Sequence, residues 1–165
     1  MTGKDATLKD FLFEIQQDKD KGKEGLLAGK GSERKNILNL KIVCCVDISG
    51  SISEEQYNSF MSQLRKIKGI SQVMVIETDT DICAMYNFDK TRPAQAARLG
   101  GGGGTNFVTA FTKAQEMNPD AIVFLTDGDD TGDCEKPKDT PVAWVVTEHG
   151  HAPYEWGMEV GRIDK

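Results

Sequence analysis

The sequence predicts an α/β fold, a mostly parallel sheet with one antiparallel edge strand and helices on both faces. Three observations predict it. First, Ile42-Val43-Cys44-Cys45-Val46, Ala121-Ile122-Val123-Phe124-Leu125-Thr126 and Val142-Ala143-Trp144-Val145-Val146 are short continuous apolar runs. Runs of that kind are strands buried on both faces, as parallel strands are. Second, segments with helical spacing alternate with the strand-like runs. Third, only Thr78-Asp79-Thr80-Asp81 separates two strand-like runs, 72–77 and 82–88. A connection that short joins antiparallel neighbours, so these two form a hairpin.

Taken in order, the first element is a helix from Thr7 to about Gln17, with Leu8, Phe11, Leu12 and Ile15 on a narrow apolar stripe. From Asp18 to Asn36 the chain turns polar and rich in Gly and Lys, which predicts a loosely held connector. Strand one spans about Leu38 to Val46. Ser53 and Gln56 then make a capping pattern, and Tyr57, Phe60, Met61, Leu64 and Ile67 step by three and four along a helix over 53–67. After the hairpin, Pro93 to Arg98 has the composition of a short helix, and five glycines, Gly100 to Gly104, follow. Phe107, Ala110, Phe111 and Ala114 mark the inner face of a further helix, which Asn118-Pro119 stops near Met117. Strands at 121–126 and 141–147 come next, and a short sixth is expected at 157–163. The linker from Asp127 to Thr140 is rich in Asp, Gly, Pro and Lys and predicts no full helix. The expected organisation is an N-terminal helix and polar connector over 1–36 and a single α/β domain over 37–165.

A chain of 165 residues is long enough for one well-formed core. No apolar stretch approaches the roughly 20 residues of a membrane span, and charged residues interrupt the first apolar segment, so neither a membrane span nor a secretory leader is expected. The expected location is cytoplasmic. Net charge is −6, which argues against nucleic acid as a partner, because phosphate binding needs a concentrated basic face. The residues up to Leu40 carry +1 and the remainder −7. Four cysteines include no C-x-x-C pair, so a zinc site has little support and small buried thiols are expected. Cys44 and Cys45 are adjacent on a strand and must face opposite ways.

The chemistry concentrates where strands end. Asp47-Ile48-Ser49-Gly50-Ser51 sits between strand one and the next helix, at the carboxyl edge of a parallel sheet, where open α/β folds bind ligands. A carboxylate and two hydroxyls there are hard oxygen donors suited to Mg²⁺ or Mn²⁺. Gly104-Thr105 and Asp127-Gly128 fall at the same edge. If strands one and four are neighbours, the three loops converge on Asp47, Ser49, Ser51, Thr105 and Asp127. Any one loop alone is an ordinary capped turn; the three in this order make the pattern specific.

Two competing motifs fail on spacing. The Gly25 to Ser32 segment has a misplaced glycine and no flanking strand for a phosphate loop. Asp127 to Gly132 starts like an EF-hand loop, but Lys138 stands where the bidentate Glu belongs. Glu148-His149-Gly150-His151 follows strand five, so it falls on the same edge as the proposed metal.

The Asp47-x-Ser49-x-Ser51, Gly104-Thr105 and Thr126-Asp127-Gly128 series resembles the metal-ion-dependent adhesion site (MIDAS) of von Willebrand factor A (VWA) domains. It is most similar to the VWA-like domain at the C-terminus of a bacterial and phage group of metallopeptidase-like proteins. There the resemblance extends to Trp144 and to Ala152-Pro153-Tyr154-Glu155-Trp156-Gly157. It implies that Ser49 and Ser51 bind the ion directly, with Thr105, Asp47 and Asp127 acting directly or through water. It further implies that an open coordination position takes a Glu or Asp of a protein partner, such as a peptidase-like or AAA+ ATPase component. The peptidase motif H-E-x-x-H is missing; the two histidines are spaced H-x-H. The leading expectation is a metal-dependent protein-binding module. The alternative is a metal-dependent hydrolase or phosphotransferase using the same ion as Lewis acid, but the three loops contain no evident general base or nucleophile.

Overall fold

The computed structural model describes residues 7–21, 40–48, 53–66, 72–79, 81–88, 106–128, 133–147 and 150–163. The elements are α1 (Leu8–Lys21), β1 (Lys41–Asp47), α2 (Glu54–Lys66), β2 (Gln72–Thr78), β3 (Ile82–Asn87), α3 (Val108–Glu116), β4 (Ala121–Thr126), β5 (Val142–Thr147) and β6 (Met158–Ile163). The six strands form one sheet in the order β3-β2-β1-β4-β5-β6. Every pairing is parallel except β2 with β3. The expected mostly parallel sheet with one antiparallel edge strand is therefore the observed one.

Strand alternation sorts the core into two layers. Ile42, Cys44, Val46, Val73, Val75, Val123, Leu125 and Val145 pack with Leu8, Phe11 and Leu12 of α1 and with Tyr57, Phe60, Met61 and Leu64 of α2. Val43, Cys45, Ile76, Ile122, Phe124, Trp144 and Val146 pack with Phe107, Ala110, Phe111 and Ala114 on the other face, beside Cys134 of the β4–β5 linker. Cys44 and Cys45 thus fall in opposite layers, and burial pushes both thiols well above their ordinary pKa. The four cysteines are free; Cys83 alone of them is exposed, on the edge strand β3. Its outward position departs from the expectation that all four thiols are buried.

Local sequence accounts for the helix ends. Ser53 Oγ accepts the Gln56 N–H and Gln56 Oε1 accepts the Ser53 N–H, at 3.0 and 2.9 Å, which completes the predicted capping box of α2. Thr7 and Asp10 make the same reciprocal pair at the start of α1. At the end of α3, Asn118 takes a positive φ of 51°, with Pro119 behind it. That left-handed step is how Asn118-Pro119 stops the helix.

Helix α1 runs past the predicted Gln17 to Lys21. The apolar stripe ends at Ile15, but polar side chains hold the last turns. Gln16 donates to Asp20 at 3.0 Å, and Lys19 reaches Asp120 at 3.1 Å. Asp120 also accepts the Lys41 N–H, so α1 is tied to the amino-terminal edge of the sheet where β1 begins. The remainder of the connector, 22–36, the expected start of strand one at 38–39, and the segments 89–100 and 101–105 with their expected short helix and glycine run, lie outside the described residues. Residues 133–140 contain no helix. Among the described residues no helix is long and apolar enough to cross a membrane.

Candidate metal centre

Strands β1 and β4 are hydrogen-bonded neighbours, with Cys45 opposite Phe124 and Val46 opposite Leu125. The chain builds β2 and β3 outward on one side of β1 and β5 and β6 outward beyond β4. The carboxyl ends of β1 and β4 therefore flank the point where the build direction reverses, the crevice in which open α/β sheets bind ligands.

Asp47 is the last residue of β1 and is 0% exposed. Its alternation with Val43 and Cys45 puts it on the α3 face. Thr126, last in β4, lies on the same face and is also fully buried. The Thr126 hydroxyl donates to Asp47 Oδ2 at 2.9 Å and accepts the Gly128 N–H at 3.0 Å. Asp127, between them, is half-buried. Its carbonyl accepts the His151 N–H at 3.0 Å. His151 thus joins the edge beside Asp127, as its place after β5 predicts.

Ser49, Ser51 and Thr105 lie outside the described residues, as does His149. Their described neighbours fix where the chain enters and leaves those loops. Ile48 donates its N–H to Thr78 O at 2.9 Å, and Asn106 donates its N–H to Asp79 O at 2.8 Å. Both acceptors are at the carboxyl end of β2, next to β1. Asn106 Oδ1 in turn accepts the Val108 N–H at 3.0 Å and opens α3.

The donors present fit a hard cation in kind. They are oxygen donors, two of them carboxylates where adjacent strands end, Asp47 closing β1 and Asp127 following β4, and a carboxylate as deeply buried as Asp47 needs compensation by hydrogen bonds or a counter-charge. Among the described residues, no group of three or more His, Cys, Asp or Glu comes together as a metal site. A shell completed by Ser and Thr hydroxyls is of another composition, and those hydroxyls belong to the three residues outside the description.

Comparison with known proteins decides the family. The profile of the VWA-like domain (DUF2201) matches residues 42–163. The chain belongs to the VWA-like domain family. Among solved structures it is similar to the crystal structure of the ArnB paralog VWA2 from Sulfolobus acidocaldarius, with a TM-score of 0.52 and 19% identity over 66% of this chain and 35% of that one. At that identity the likeness is one of fold, and this chain spans about a third of the length of that protein. A search of curated proteins returned no match.

In this VWA-like domain the carboxyl edge carries a second polar cluster that sequence reasoning missed. Glu77, next to last in β2, is 0% exposed and faces the α1/α2 layer. Its Oε2 accepts the Tyr57 hydroxyl at 2.9 Å and the Tyr86 hydroxyl at 2.7 Å, and the two phenols also touch each other. Glu77 Oε1 is buried without a hydrogen-bond partner among the described residues. Burial, joined by Glu77, raises both phenol pKa values, against an opposing contribution at Tyr57 from the Tyr86 hydrogen bond. Tyr57 stands in the first turns of α2, the helix that follows the Asp47 loop, so the cluster fastens that helix to β2 and β3. The signal in the sequence was slight: one acidic residue ending an otherwise apolar strand.

Proposed function

We propose that this VWA-like domain is a divalent-metal-dependent protein-binding module of the MIDAS type. Asp47 and Asp127 would hold Mg²⁺ or Mn²⁺ together with Ser49, Ser51 and Thr105. The ion would supply an electrophilic position for a Glu or Asp side chain of a protein partner. The observation that carries the reading is the placement of a fully buried Asp47 beside the Asp127 turn, at the carboxyl ends of adjacent central strands where the sheet order reverses. A site with few direct carboxylates leaves a cation electron-poor, which favours an incoming acid over a second protein-bound one.

The partner this reading proposes is a peptidase-like or AAA+ ATPase component, the class that the resemblance of the motif series implies. The chain's acidic balance adds to the case for a cation, because without one an acidic partner residue is repelled.

Thermal unfolding with and without Mn²⁺ tests the metal. A ligand at a hundred times its Kd stabilises by about 2.7 kcal/mol, roughly 5–10 °C for a domain of this size. Asp47→Asn should abolish the shift. Capture of an acidic partner that survives EDTA, or a wild-type Tm indifferent to Mn²⁺, contradicts the proposal.

A further inference from the structure

We propose that Thr126 is a positioning residue for the metal centre: its hydroxyl sets the orientation of the Asp47 carboxylate and its spacing from the Asp127 turn. The inference rests on the proposed function and deepens it. Three observations on neighbouring strands carry it. Thr126 is fully buried at the end of β4. Its Oγ1 lies 2.9 Å from Asp47 Oδ2, across the β1–β4 junction. The same Oγ1 lies 3.0 Å from the Gly128 nitrogen, one residue beyond Asp127.

Donor and acceptor roles follow from chemistry. The Gly128 N–H can only donate, so Oγ1 is its acceptor. The one hydroxyl proton is then directed to the Asp47 carboxylate, which accepts. The hydroxyl therefore joins the two acid-bearing segments: it holds Oδ2 of Asp47 on one side and the turn containing Asp127 on the other. Strand pairing alone fixes the backbone of β1 against β4, but not the rotation of a carboxylate that ends one of the strands. Outer-shell partners of this kind typically change metal affinity by about 10–100-fold when removed. Valine matches threonine in shape but lacks the hydroxyl, and serine keeps the hydroxyl without the methyl. The pair separates hydrogen bonding from packing.

The test is a Mn²⁺ titration followed by electron paramagnetic resonance on wild type, Thr126→Val and Thr126→Ser, with the metal-free fold of each checked by circular dichroism. The expected result is a loss of Mn²⁺ affinity of about 10–100-fold in Thr126→Val, with near wild-type affinity in Thr126→Ser. A merely structural role would make serine and valine variants lose affinity in step with their metal-free stability, and that result overturns the proposal. So does wild-type affinity in Thr126→Val. Should the valine variant fail to fold, Thr126→Ala against Thr126→Ser makes the same comparison. Absence of Mn²⁺ binding by wild type overturns the metal-centre reading itself, whereas binding by wild type and by Thr126→Val alike overturns only the role given to Thr126.

Discussion

The carbonyl oxygen of His151 stands 2.0 Å from the point where a Cβ on Gly128 would sit. Gly128 also has φ +103°, a region that L side chains rarely adopt. The β4 and β5 loops are therefore in backbone contact beside Asp127, and a methyl group has nowhere to go. Gly150 returns the contact, its own missing Cβ lying 2.5 Å from Asp127 O. Gly161 is the control, since it has φ +146° but open space around it. Gly161→Ala should cost only backbone strain, of order 1–3 kcal/mol. Gly128→Ala should cost more, because His151 must move as well, and should also weaken Mn²⁺ binding by shifting Asp127. Urea denaturation of the two variants checks the order; equal losses would mean the loops separate freely.

Tyr57→Phe probes the buried Glu77 cluster. It removes a hydroxyl from a fully buried site while leaving the ring's packing among Phe60, Met61 and Leu64. Tyr86 still donates to Glu77 Oε2, so the carboxyl group keeps one partner. A loss of about 1–3 kcal/mol in urea denaturation is expected. A neutral outcome would show that Tyr86 alone satisfies the cluster.

Alkaline pH should destabilise the fold. Tyr57, Tyr86, Cys44 and Cys45 all have folded pKa values raised, by burial first, above the ordinary 10.0 and 9.0 of phenol and thiol. The unfolded chain then releases protons that the folded one retains, so stability falls as pH rises. Their contribution is fully present below the ordinary values and is lost progressively above about pH 9, thiols first and phenols from about pH 10. Urea midpoints across the alkaline range should decline, and Tyr57→Phe should decline less steeply above pH 10 than wild type. Parallel curves would remove Tyr57 from the account.

Much of this was legible in the chain. The apolar runs of β1, β4 and β5 are buried on both faces, as central strands must be. The Ser53-Gln56 box starts α2, and β2 and β3, separated by so few residues, pair antiparallel. The adjacency of Asp47 and Asp127 was legible only on condition that β1 and β4 pair, which strand order alone decides. The last turns of α1 were hidden because Gln16 to Lys21 are polar and helical through side-chain pairs, one of them with Asp120, 101 residues from Lys19. Glu77 was hidden for the same reason: its partners, 20 and 9 residues away, meet it only once α2 and β3 pack on β2. Periodicity reports a face of an element. It does not report which polar group waits on the other side.

The α3 face should depend on its aromatic layer. Phe111 contacts Phe124, Trp144 and Trp156 at ring-centroid separations of 5.2, 5.8 and 5.6 Å. Phe111→Ala should cost about 3–5 kcal/mol. Val108→Ala, three residues earlier on the same helix and 40% exposed, should cost well under about 1 kcal/mol. Comparable losses in thermal unfolding would contradict the packing described.

The most direct test of the metal centre is a count of bound Mn²⁺ per chain, by electron paramagnetic resonance of the free ion, in wild type, Asp47→Asn and Asp127→Asn. The account predicts one ion per wild-type chain, displaced by excess Mg²⁺, with binding lost or greatly weakened in Asp47→Asn and in Asp127→Asn. Wild-type protein that leaves all Mn²⁺ free, or an Asp47→Asn variant that binds as wild type does, would contradict it.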